Sequence, residues 1–174
     1  TSGQNNVFLG TQAGHTNRNG NNNVFLGYKT GFKNTGDDNV IIGENAGSNI
    51  EHSLSSSVFI GKYAGQNVGD VSESTIIGYY AGSSDKGTKN TLIGYSAGFQ
   101  NTGEYNSFLG HFSGGNSDGT YNISLGVKSG YNNTGNHNII IGNVSGYRNT
   151  GNNNILIGED VGYKNKGDFN IFLG

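Results

Sequence analysis

The side chains of this 174-residue chain that could do chemistry are 12 carboxylates, 4 histidines and 10 tyrosines. The acidic pairs Asp37–Asp38 and Glu159–Asp160 are adjacent in sequence, so on an extended strand the two members point to opposite sides. No spacing sets up the paired carboxylates that glycan hydrolysis needs. His15, His52, His111 and His137 share no ligand spacing, whereas tetrahedral metal sites draw on clustered His and Cys. With no Cys there is no disulfide and no thiolate chemistry. Glycines are abundant, but no Gly-rich run leads into a helix, so there is no phosphate cradle. The matches to N-x-[ST] at Asn122, Asn132 and Asn143 arise by chance in an Asn-rich chain. The reading is a non-enzyme with no catalytic residues, cofactor or metal.

What positions these residues is a tandem repeat, and periodicity outranks every other sequence signal. The pentapeptide NVFLG ending at Gly10 recurs in related form up to NIFLG at Gly174. The closing glycines are spaced 17, 16, 18 and 17 residues apart, and then 16 six times over. A second glycine follows four residues later, from Gly14 to Gly162, and a third occurs in most units, as at Gly36, Gly87, Gly103, Gly119, Gly135, Gly151 and Gly167. The residues before each closing glycine are β-branched, aromatic or Leu, which is strand composition in a short burst. Glycines every four to seven residues break any helix and offer corners where positive φ is cheap. The fold class is therefore all-β: residues 1–174 form one array, a parallel β-solenoid of about ten 16-residue coils, each with two or three short strands. An Asn opens most coils, such as Asn6, Asn106 and Asn138. It is expected to adopt left-handed geometry, and its amide can bond its counterpart on the next coil as a ladder.

Strand alternation sorts the apolar residues into two sets. The first holds the residues one and three before the closing glycine, such as Leu9 with Val7 and Leu109 with Ser107. It is assigned to the coil interior, where Ala13, Ala46, Ala64, Ala81 and Ala97 leave room. The second runs from Phe8 to Phe172 with Ser124 its one polar member. Assigned to the outside, it is an apolar strip larger than a monomer normally exposes, and another chain must cover it.

Two features stand out as binding surfaces. The residue after each second glycine becomes aromatic at Tyr131, Tyr147 and Tyr163, with Lys33, Arg148 and Lys164 beside that row. These rings serve as a ladder stacking successive coils, or as a platform for sugars. The coils between Gly47 and Gly78 are irregular. Their loops lose or shift the third glycine and carry Ile50, Leu54, Val68 and Val71, so Ile50, Leu54 and Val71 are candidate receptor contacts.

The units N-[VST]-[FIL]-[IL]-G and x-x-[AST]-G resemble the YadA-like head repeats of trimeric autotransporter adhesins, which form a left-handed parallel β-roll. They are also similar to Gly/Asn-rich repeats of phage tail fibres and surface fibres. The resemblance spans about Gly3 to Gly174. It implies a homotrimer of narrow rolls displayed outside the cell or on a virion, and adhesion to a glycan or protein receptor.

Composition agrees with a fibre. The chain has 32 Gly, no Pro, Cys, Met or Trp, 32% hydrophobic residues and a net charge of −2. Its scattered basic residues form no stripe for nucleic acid, and no stretch is long and apolar enough for direct membrane insertion. The chain reads as an interior piece of a longer fibrous protein, because both ends fit the repeat. Two alternatives remain: an ice-binding solenoid, although its hydroxyl rank (Thr35, Thr102, Thr134, Thr150) is broken in most coils, and the scaffold of a glycan-degrading phage fibre.

Overall fold

A computed structural model describes residues 3–50 and 53–174; His52 lies outside these. Each coil contributes one three-residue strand, rather than two or three. The strands are Val7–Leu9 (β1), Val24–Leu26 (β2), Val40–Ile42 (β3), Val58–Ile60 (β4), Thr75–Ile77 (β5), Thr91–Ile93 (β6), Ser107–Leu109 (β7), Ile123–Leu125 (β8), Ile139–Ile141 (β9), Ile155–Ile157 (β10) and Ile171–Leu173 (β11). They stack in chain order as a single parallel sheet, and turns complete each coil. The protein is a parallel β-solenoid, with no helix among the described residues. Equivalent residues lie in register, and the 18- and 17-residue spacings leave that register unbroken, Ile41 on Phe59 on Ile76. The extra residues are absorbed in the loops.

The two faces of the sheet are the reverse of the sequence assignment. The middle residue of each strand is the one that points inward: Phe25, Ile41, Phe59, Ile76, Leu92, Phe108, Ile140 and Leu156 are fully buried. The flanking residues, expected inside, lie outside, with Leu9 at 66%, Val7 at 57%, Ile123 at 48% and Leu109 at 47% exposure. Alternation tells which residues share a face but not which face is inner. The deciding factor is room. One large side chain per strand fills the narrow coil, where it lies against the second glycine of its own turn, as Phe25 does against Gly31. Opposite it are small residues, including the buried Ala46, Ala64, Ala81 and Ala97, as expected, and then Ser113, Ser129 and Ser145.

The remaining interior is polar and held by ladders. The side-chain oxygen of each opening Asn accepts the backbone N–H of its counterpart one coil on: Asn106 from Asn122 at 2.8 Å, Asn122 from Asn138 at 2.9 Å, Asn138 from Asn154 at 2.9 Å. Its amide nitrogen donates to the carbonyl of a third glycine, as Asn122 does to Gly135 at 2.9 Å. Ser57 and Ser74 keep the ladder going with a hydroxyl. A buried backbone donor left unpaired would be costly, which is why a polar residue occupies this rung in every coil. Left-handed geometry falls one residue earlier than expected, at Asn5, Asn22, Asp38 and their equivalents. The third glycine has no positive φ; it is needed because a Cβ on Gly103 would run into the carbonyl oxygen of Gly119.

Candidate binding surfaces

The irregular coils do not present their apolar residues to a partner. Ile50, Leu54, Val68 and Val71 are buried, within the same core cluster as Phe59 and Ile76. Ile50 and Val68 pair with each other as an isolated parallel bridge. Leu54 and Val71 take the corner used elsewhere by the third glycine. The Leu54 carbonyl accepts from the Asn39 amide at 2.7 Å, and the Val71 carbonyl from the Ser57 hydroxyl at 3.5 Å. The candidate contacts Ile50, Leu54 and Val71 are therefore core residues, drawn in because burying each side chain is worth about 1.5–3 kcal/mol.

The tyrosine row forms a stack. Tyr131 and Tyr147 lie 5.6 Å apart between ring centroids at 11°, and Tyr147 and Tyr163 lie 5.5 Å apart at 5°. Arg148 covers Tyr147 and Lys164 covers Tyr163, at 5.5 and 5.1 Å from the ring centroids. The inner faces of these rings are spent on one another, so the row offers mainly edges and hydroxyls. One hydroxyl, that of Tyr131, accepts from the Asn116 amide at 2.7 Å. The row also extends further than the repeat position suggests. Ring contacts run from Tyr63 through Tyr79, Tyr80 and Tyr95 to His111 and Phe112, and Phe112 reaches Tyr131. A second corner carries a shorter stack, Tyr105, Tyr121 and His137. Sequence reasoning confined to one repeat position missed both, because rings from neighbouring positions meet only once the corners are folded.

The most continuous surface is the outer face of the sheet. The Val7 and Leu9 rows run along all eleven strands, about 50 Å at the usual inter-strand spacing. At Thr91 and Ser107 this face opens a shallow apolar depression bounded by Ile93, Leu109, Ile123 and Leu125.

Among the described residues no group of three or more His, Asp or Glu is placed to hold a metal ion. One acidic side chain does lie inside. Asp85 is fully buried, and its Oδ1 accepts from the Gly87 N–H and the Asn101 amide, each at 3.0 Å, while Oδ2 has no partner. Burial pushes its carboxyl up to about 7, against the pull of the hydrogen bonds from Gly87 and Asn101. The sequence signal was available: an Asp where Asn101, Asn133, Asn149 and Asn165 stand three residues after a second glycine.

Set against protein-family models, curated proteins and solved structures, the chain matches none.

Proposed function

We propose that this chain is a structural and adhesive segment of a homotrimeric surface fibre, displayed outside the cell or on a virion, with a glycan or protein receptor as its target. The observation that carries this reading is the outer sheet face. Its Leu9 row is apolar along the whole length, and its Val7 row everywhere but at Thr75, Thr91 and Ser107, although the interior is already filled by the middle residue of each strand. Such a face is far larger than isolated surface apolar residues, and it is the kind of surface that another protein covers. The occupant is a second copy of this chain. Only a roll with the same coil pitch keeps the ridges of Val7, Leu9 and their equivalents in step over eleven strands, and a copy has that pitch by construction. Closed point-group symmetry is the usual outcome for such assemblies, and the resemblance to trimeric adhesin heads selects three. In this reading the tyrosine row offers its hydroxyls and ring edges, with Arg148 and Lys164, to the target.

Sedimentation equilibrium on the full chain tests this. Three chain masses are expected, and a stable, soluble monomer at micromolar concentration would overturn it. The double substitution Leu109→Asp with Leu125→Asp should yield folded monomers, because both side chains point out of the roll.

A further inference from the structure

We propose that Asp85 is held as a neutral carboxylic acid in the folded roll, where its single hydroxyl closes a buried amide column against the aliphatic rungs Ile50 and Val68, and that loss of this proton loosens the roll there. The column consists of the residues three after each second glycine, amides on the C-terminal side of Asp85 except at Ser117, whose hydroxyl donates to the Gly130 carbonyl. In Asn101, Asn133, Asn149 and Asn165 the amide nitrogen donates to the carbonyl of the glycine two residues on, at 2.7, 2.8, 2.8 and 2.9 Å. The other amide hydrogen reaches back one coil to a side-chain oxygen: Asn101 to Asp85 at 3.0 Å, Asn149 to Asn133 at 2.8 Å, Asn165 to Asn149 at 2.9 Å.

Asp85 keeps half of this pattern. Its Oδ1 accepts from Gly87 and Asn101 as an amide oxygen does. Its Oδ2 has no partner. In the equivalent rungs this place belongs to the amide nitrogen that donates to the glycine carbonyl two residues on, so the counterpart of a hydrogen on Oδ2 is the Gly87 carbonyl. One coil back the rung is Val68, fully buried and without an acceptor. An amide at position 85 would strand its second hydrogen against that side chain. A carboxylic acid has one hydrogen, as the equivalent amides use one on the glycine carbonyl of their own coil, and so suits the junction between an amide column and an aliphatic one. A buried polar group without its partner costs far more than the bond is worth when made.

Among the described residues no charged side chain faces the carboxyl. The coil before presents Val68 and the coil after Asn101, the Asn90 amide donates to the Gly103 carbonyl, and Lys86 gives its backbone N–H to Asn101 and keeps its side chain exposed. The carboxyl is raised from 3.8 to about 7, mainly by burial, which agrees with this geometry. For a group whose folded value is raised, the folded state holds the proton through the window between 3.8 and about 7 while the unfolded chain has released it. Stability from this group is therefore complete below the window, falls as pH rises through it, and levels off above it.

The direct test is a 13C-carboxyl NMR titration of the full chain. A midpoint near 7 for Asp85 is expected, and one at or below that of an exposed Asp would overturn the proposal. The second is urea denaturation at pH 4.5 and pH 8 of the natural chain and of Asp85→Asn. The natural chain should lose midpoint concentration between the two pH values and the variant should lose less. Parallel losses would overturn the proposal. If Asp85→Asn does not fold, the NMR midpoint on the natural chain decides.

Discussion

Gly31 lies flat against the ring of Phe25: a Cβ on the glycine would come 2.8 Å from Cε2 of the phenylalanine, and the glycine φ is +54°. The same pairing recurs up the roll, from Gly14 with Phe8 to Gly162 with Leu156. It accounts for both the inward residue and the second glycine of the repeat, because each large side chain needs a wall without a Cβ. Gly31→Ala should therefore cost about 2–4 kcal/mol, combining left-handed strain with overpacking. Gly69→Ala is the control. Its φ is ordinary and the nearest heavy atoms would lie at 3.8 Å, so its denaturation midpoint should stay within about 1 kcal/mol of the natural chain.

The reversal of faces has its own test. Phe108→Glu, alone or with Ile140→Glu, places a carboxylate in the interior and should abolish folding, as seen by loss of the β signal in circular dichroism. Leu109→Asp, one residue away and 47% exposed, should keep that signal while shifting the sedimenting mass downward. If Leu109→Asp unfolds the chain and Phe108→Glu does not, the inner and outer sets have been assigned the wrong way round.

The asparagine ladder should be strong per rung. Asn122→Ala strands the Asn138 N–H, now bonded at 2.9 Å, and takes from the Gly135 carbonyl one of its two donors, leaving it the Asn133 amide. At about 1–3 kcal/mol for a stranded buried donor, the loss is expected to exceed that of an exposed Asn such as Asn153. Asn122→Ser should recover part of it, because Ser57 and Ser74 fill the same rung. Thermal melts of the three variants measure the ranking.

Ser124 interrupts the inward row between Phe108 and Ile140. Its hydroxyl is buried and has no partner. Ser124→Ala removes that orphan at nearly constant volume and should raise stability by about 1 kcal/mol. A lower melting temperature for Ser124→Ala would show that the hydroxyl is satisfied by something bound inside the roll.

Much of this molecule follows from its sequence. The 16-residue period, the strand at each N-x-x-[LI]-G and the amide ladder at the opening Asn are local matters. Glycine placement, β-branched composition and an amide every coil act within one repeat, and stacking simply multiplies them. Which face of the strand is inner could not be read this way. Both faces are apolar, and the choice depends on a coil only wide enough for one large side chain against Gly31 or Gly114, a distance across the fold. The same limit hid the fate of Ile50, Leu54 and Val71. In the sequence they look like loop decoration, but in the structure they replace amide and glycine positions and join the core. Asp85 shows the sharpest division. Its place in the repeat is visible in the chain, but its chemistry comes from Val68 on one side and Asn101 on the other. Only stacking the coils puts a carboxyl between a rung with no acceptor and one with a donor.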